Sequence, residues 1–308
     1  MENSTNHRNF TSTVRQHSTL FAGVATFCAA LNIFLSITAC LGNGLILIAL
    51  RKVSSVHPPT KLLFRCLAIT DLCVGLIAHP LLVLCFFMST VPKVFKYVND
   101  ALIASSLILC GVSILTSTAI SVDRLLALLL ELRYRHVVTR SRVRIVIVCF
   151  WLIGVVAALL NIFLGSLIGL SIASVFVFLS LVISVFSYTK IFLKLRNKQA
   201  QVSQNHAHQG KQNGGGIPLN MALYKRTVSS IAWVKLALVV CYLPSIICFF
   251  VVNILKVRPE VGWFIAWDFS ITLVYFNSSL NPILYCWKIK EVRQVVKDTV
   301  KQFCCSSS

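Results

Sequence analysis

The chain has 308 residues, 57% of them hydrophobic and 12% charged, with a mean hydropathy of +0.81. Soluble domains carry about 25% charged residues, so most of this chain is solvated by lipid rather than water. The formal charge of +20 raises nucleic acid as a partner, but no segment has the aromatic and basic make-up of a single-strand or RNA reader.

A membrane-crossing helix needs about 20 mostly apolar residues. On that criterion the spans fall, in chain order, at 20–50, 62–88, 101–130, 143–160, 167–195, 228–255 and 263–287. The fourth and fifth have to be separated by argument, because no charged residue occurs from Ile145 to Thr189. That stretch is too long for one helix and suits two joined by a tight turn. Asn161, Gly165, Ser166 and Gly169 are the turn-forming cluster inside it. The expected fold class is therefore an all-α membrane protein, a bundle of seven transmembrane helices. Residues 1–19 precede the bundle as a polar outer segment, and 288–308 follow it as a cytoplasmic tail.

The basic residues orient the bundle. With the connections taken alternately, one side holds 22 Lys and Arg and the other six, Lys235 lying within the sixth span. The richer side is cytoplasmic, so the N-terminus is outside, and the protein is a multi-pass plasma-membrane protein whose basic inner rim meets anionic lipid. Asn3-Ser4-Thr5 and Asn9-Phe10-Thr11 are N-glycosylation acceptors at Asn3 and Asn9, which suits an outer N-terminus. Residues 197–220, rich in Gln and Gly, read as a flexible inner connector. After Trp287, the apolar Ile289, Val292, Val295, Val296, Val300 and Phe303 recur at helical spacing among lysines. They predict a short amphipathic helix on the inner membrane face, followed by Cys304 and Cys305 as palmitoylation sites. The other ten cysteines lie in apolar stretches and behave as small hydrophobes.

Polar groups within a span are costly and mark function. They occur here once or more per span. Gly42-Asn43 lies in the first, Leu67-Ala68-Ile69-Thr70-Asp71 in the second, and Ser121-Val122-Asp123-Arg124 ends the third, followed by Leu132-Arg133-Tyr134. Trp151 and Tyr188 lie in the fourth and fifth, Cys241-Tyr242-Leu243-Pro244 in the sixth, and Asn277-Ser278-Ser279-Leu280-Asn281-Pro282-Ile283-Leu284-Tyr285 in the seventh. In this order and spacing the set resembles the rhodopsin-class G-protein-coupled receptors over essentially the whole chain. The melanocortin, adenosine, cannabinoid and lysophospholipid group is the nearest in kind. Like that group, the chain has Ser180 instead of a proline in span five and a nearly absent second outer loop. Asn99 stands where the outer cysteine would be, so no outer disulfide is expected. Within the group the melanocortin branch fits best, through Leu132-Arg133-Tyr134 and Thr139.

The resemblance implies a heterotrimeric G protein as partner and assigns roles by position. Asp123 would restrain Arg124 until it engages the G protein, and Leu132 would enter an apolar pocket on that partner. Tyr188 and Tyr285 would swing inward, Pro244 would kink span six, and Asn281-Pro282 would belong to the same switch. Departures are Leu125 for the usual tyrosine after Asp-Arg, Tyr242 for the usual tryptophan, and Glu131 for the proline before Leu132. The ligand wall would comprise Ser106, Leu107, Cys110, Tyr242, Ile246, Ile271 and Tyr275. It is mostly apolar, and a lipid or small neutral molecule fits it better than a charged one. Ser106 occupies the place of the aspartate that binds biogenic amines, which argues against an amine. Leu81 replaces one acid of the melanocortin calcium site, which is therefore not supported. Trp267 and Asp268, near the outer end of span seven, are placed to contact a ligand, with a solvated outer rim the favoured reading of Asp268, and His79 is expected as a hydrogen-bonded structural residue.

The resemblance also places Ser113, Asn277, Ser278 and Asn281 around Asp71, with Asn43 close by. These hard oxygens suit a sodium ion. No other cofactor and no catalytic set is expected. The alternative is a small transporter or channel with its ion site at Asp71, against which stands the lack of a two-fold internal repeat. The topology has a direct check. An N-terminal epitope labels on intact cells and a C-terminal one only after permeabilisation, and glycosidase increases mobility if Asn3 or Asn9 is modified. The reverse labelling pattern overturns the orientation.

Overall fold

A computed structural model describes the backbone over residues 2–53, 56–88, 91–208, 236–252, 255, 261–288 and 290–306, and most of the side chains in these stretches from residue 22 onward. Helix α1 is Glu2–Lys52, so the polar N-terminal segment continues span one as helix. The second span is α2 (Pro58–Cys73), a π-helical turn (Val74–Ala78) and α3 (His79–Met88). Then come α4 (Pro92–Leu130), the short α5 (Tyr134–Val137), α6 (Arg140–Leu164), α7 (Ser166–His208), α8 (Leu236–Val252), α9 (Val261–Lys288) and α10 (Lys290–Ser306). No strand occurs among the described residues. Helices satisfy every backbone group within one segment, which a lipid environment requires.

The tight turn between spans four and five lies where the sequence places it. Gly165, at φ 94°, is the single residue between α6 and α7. The two helices leave it back to back. A Cβ on Gly169 would stand 2.5 Å from the Cβ of Asn161. The inner connector differs from expectation, because α7 continues as helix to His208. Without the span-five proline nothing in the chain interrupts α7. Thr118 on α4 instead donates to the carbonyl of Ser180 at 3.3 Å, with Ser184 Oγ 3.2 Å away. Residues 209–235, with the remainder of that connector and Lys235, lie outside the described residues.

Helix α4 is central and packs against α2, α3, α6 and α7, while α1 packs against α2, α3, α9 and α10. Two apolar clusters result. The outer one joins Val74, Leu82, Leu109, Ile114, Leu238, Tyr242 and Val274, and the inner one joins Ile46, Leu50, Leu63, Phe64, Leu67, Ile120 and Val292. Val292, with Val295 and Val296 against the same cluster, lies on α10. The amphipathic helix thus turns part of its apolar face onto the bundle as well as the membrane. Large apolar side chains such as Phe27, Phe34, Ile145 and Phe163 remain more than half exposed, as a lipid-facing surface requires.

Two close approaches fix the packing of α1. A Cβ on Gly42 would meet the ring of Pro282 at 2.8 Å, and one on Gly75 would meet Cys40 Sγ at 2.8 Å. Ser36 Oγ donates to the Gly75 carbonyl at 2.7 Å inside the π turn, replacing a helix hydrogen bond that the turn alters. The α6–α7 contact gives a test. Gly169→Val overpacks against Asn161, at a typical cost of about 1–3 kcal/mol. It lowers the unfolding midpoint of the purified protein in nanodiscs. Gly44→Ala, whose Cβ would meet nothing within 4 Å, leaves the midpoint nearly unchanged. Equal midpoints for the two variants would show that α6 and α7 do not approach this closely.

Candidate functional site

Asp71 is fully buried at the centre of the bundle. Its Oδ1 accepts hydrogen bonds from Ser113 Oγ on α4 and Ser278 Oγ on α9, both at 2.9 Å. Its Oδ2 accepts from Asn281 Nδ2 at 2.6 Å. Asn43 on α1 joins the knot by donating to the Ser278 carbonyl at 3.0 Å and to the Ala39 carbonyl at 2.9 Å. Its Oδ1 is buried and has no partner among the described residues. Asn277 is buried beside them and makes no hydrogen bond to the carboxylate among the described residues. A carboxylate, two hydroxyls and an orphaned amide oxygen form a hard-donor set. Among the described residues, no group of three His, Cys, Asp or Glu offers a site to softer metals.

Asp123, at the inner end of α4, is also buried. Tyr134 OH donates to its Oδ1 at 2.6 Å and Thr60 Oγ1 to its Oδ2 at 2.9 Å. Arg124 Nη2 is 3.7 Å from Oδ2, a looser contact, and the guanidinium lies 5.9 Å from the centre of the Phe64 ring. The sequence reading found the Asp123–Arg124 pair and missed the two neutral donors that anchor the carboxylate. In the sequence Tyr134 carries no mark beyond its place in Leu132-Arg133-Tyr134. It returns to Asp123 because a 3-10 turn at Glu131–Arg133 reverses the chain, with Glu131 in the left-handed region at φ 44°. Leu132, at the apex of that turn, is 93% exposed and free to be covered by a partner. Tyr188 on α7 is half-buried and faces Ser121 and Arg124. The side chain of Tyr285 lies outside the described residues, as do those of Asn3, Asn9, Cys304 and Cys305.

Toward the other end of the bundle is a cavity of about 490 Å³. All seven residues of the expected wall, Ser106, Leu107, Cys110, Tyr242, Ile246, Ile271 and Tyr275, line it. Ser106 and Tyr275 join their hydroxyls across it, and Ser106 Oγ also donates to the Leu102 carbonyl at 2.6 Å. His79 is the expected structural histidine. It is fully buried, its Nδ1 is 2.8 Å from Asn32 Oδ1, and its ring meets that of Tyr275 edge-on at 5.4 Å. Asn32 continues to Thr272 Oγ1 at 3.0 Å, so α1, α3 and α9 are joined behind the cavity. One expectation is corrected. Asp268 is half-buried and lines the cavity rather than standing on a solvated rim, because its helix face turns inward with Ile271 and Tyr275.

The family model described as "7 transmembrane receptor (rhodopsin family)" matches residues 42–168 and 165–285. The chain belongs to that family. Similar curated receptors include melanocortin receptor 4 of Danio rerio, 25% identical over 281 residues, covering 88% of this chain and 82% of the relative. Histamine H2 receptor of Cavia porcellus is 28% identical over 298 residues, covering 89% and 78%. Adenosine receptor A3 of Bos taurus is 24% identical over 294 residues, covering 86% of each chain. The chain is thus a multi-pass G-protein-coupled receptor with the family's seven-helix bundle, and the relatives are receptors rather than enzymes or carriers. The transporter alternative loses its support, and Asp71 is to be understood as part of a receptor. The relatives' names span a peptide, an amine and a nucleoside, so the comparison gives no support to setting an amine aside.

Proposed function

We propose that this receptor, its N-terminus outside, binds its ligand in the 490 Å³ cavity and signals through Arg124 to a G protein. The observation that carries the reading is the spacing between the cavity floor and the Asp71 knot. Cys110 and Tyr275 line the cavity, and Ser113 and Ser278, each three residues further on, hold Asp71. Three residues are about one helical turn, roughly 5 Å. A ligand that displaces Cys110 or Tyr275 therefore acts one turn from the carboxylate on two helices at once. Along α4, Arg124 follows Ser113 by eleven residues, about 16 Å of helix, and Pro244 and Pro282 supply the points at which α8 and α9 bend. The ligand shifts the populations of two packings of the bundle. The mostly apolar wall favours a lipid or small neutral molecule, or the apolar body of a larger one.

In the resting packing Asp123 restrains Arg124, while Leu132 waits for its apolar pocket on the G protein. A panel of G-protein biosensors in transfected cells, exposed to lipid, nucleoside and peptide libraries, tests this. Arg124→Ala reaches the surface and loses signalling, and Asp123→Asn raises the basal signal. Normal signalling by Arg124→Ala would sink the assignment.

The oxygen set around Asp71 fits a sodium ion, with Asp71, Ser113, Ser278 and the orphaned Asn43 Oδ1 as its donors and Asn277 and Asn281 beside them. When bound, the ion supplies a positive charge to a carboxylate that otherwise needs a proton in the apolar interior. The residues themselves hold α1, α2, α4 and α9 in the resting arrangement. Replacing sodium by N-methylglucamine lowers the unfolding midpoint of the purified receptor, and Asp71→Asn removes that dependence. If the wild type is indifferent to the exchange, the ion is absent and a protonated Asp71 remains.

A further inference from the structure

The cavity holds an electrostatic imbalance. Among the described residues no Lys, Arg or His lines it, and Asp268 is the one carboxylate that does. No ion pair among the described residues involves Asp268, so it has no counter-charge there. The side chain also lacks a hydrogen-bonding donor among them. The contact that α9 makes at this residue, Thr272 Oγ1 to the Asp268 carbonyl at 2.8 Å, uses the backbone and leaves the carboxylate unpaired. Asp268 is half-buried and stands within electrostatic reach of the thiols of Cys28 and Cys85, the second of which is itself cavity wall.

We propose that Asp268 is the counter-ion for a single ammonium group on the receptor's ligand, whose apolar body fills the rest of the cavity. This rests on the cavity being the ligand site. An anionic ligand is repelled by Asp268, and a neutral one leaves the carboxylate desolvated and unpaired, the costly arrangement. An ammonium gains Coulomb attraction that the apolar surroundings strengthen. Phe86, Phe95, Trp267 and Tyr275 line the same cavity, and aromatic rings favour a cation over a neutral group. In the sequence, Ser106 on α4 stands where amine receptors carry their aspartate. The structure engages Ser106 with Tyr275 and provides the missing negative charge from α9 instead. The neutral ligand favoured by the wall alone thus becomes an amphiphile with one cationic end.

The test uses purified full-length receptor in phosphatidylcholine nanodiscs, with the unfolding midpoint followed against probe concentration. Two matched pairs separate a small ligand from a lipid: 2-phenylethylamine against 2-phenylethanol, and sphingosine against N-acetylsphingosine. In at least one pair the amine stabilises the wild type at a concentration tenfold or more below its neutral partner, and the responding pair identifies the source. Asp268→Asn weakens that amine by roughly tenfold or more and removes the preference, while Asp268→Glu retains it. Equal action of amine and neutral partner, no action of either amine, or an unchanged amine response in Asp268→Asn overturns the proposal. The double variant Cys110→Trp with Ile271→Trp, which obstructs the cavity from two walls, separates the two levels. If it abolishes binding of both members of a pair that bind equally, the cavity remains the ligand site and only the counter-ion is lost. If it leaves binding intact, the cavity reading fails as well.

Discussion

A carboxylate fully removed from solvent in the middle of an apolar bundle constrains everything packed around it. Asp71 cannot be paired by its own helix, so donors must arrive from other helices, and they come from α4 and α9. Asn43 brings α1 to the same point through the Ser278 backbone. Helix–helix association in lipid has no hydrophobic driving force of its own and depends on packing and interhelical hydrogen bonds. One buried acid therefore specifies the relative rotation of four helices. Any change that alters its charge or its donors also alters the energy of that arrangement.

The close approaches around the knot make this arrangement stiff. Gly42 against Pro282 and Gly75 against Cys40 leave no space for a methyl group. The π turn at Val74–Ala78 begins three residues beyond Asp71 and shifts the register of the rest of that span, placing His79 against Asn32 and the Tyr275 ring. Packed interfaces of this kind change between discrete arrangements rather than deforming continuously. That property is what a receptor requires, since an effect on the cavity wall has to be conveyed to the inner rim. Cavity, knot and rim follow one another along α4 as Cys110, Ser113 and Asp123.

The inner rim shows why position along a chain is a poor guide to pairing. Asp123 and Arg124 are adjacent in sequence, yet the shorter contacts to the carboxylate come from Thr60, 63 residues earlier, and Tyr134, 11 residues later. Neutral donors hold the carboxylate while the Arg124 side chain remains 35% exposed, with its guanidinium close to Phe64. Arg124 is thus held to Asp123 by a looser contact than the two neutral donors make.

Length, composition and apolar periodicity by themselves determined the helical membrane class, the seven spans and the turn at Gly165, because lipid allows few alternatives for a backbone. The family resemblance, rather than any property of the residues alone, brought Ser113, Asn277, Ser278 and Asn281 to Asp71, of which all but Asn277 bond to it, and named the seven residues that line the cavity. What only tertiary structure decided was which way each polar group faces. Asp268 reads as rim from its place near a span end, but the rotation of α9 turns it into the cavity. Thr60 and Tyr134 carry no sequence mark as partners of Asp123, since their encounter depends on the 3-10 turn at Glu131–Arg133. The helical extension of α7 to His208 was likewise hidden, because polar residues without apolar periodicity give no signal for a helix that continues from a buried one. Span periodicity reports contact with lipid, which each residue experiences locally, whereas polar pairing depends on helix rotation, which is set by the whole bundle.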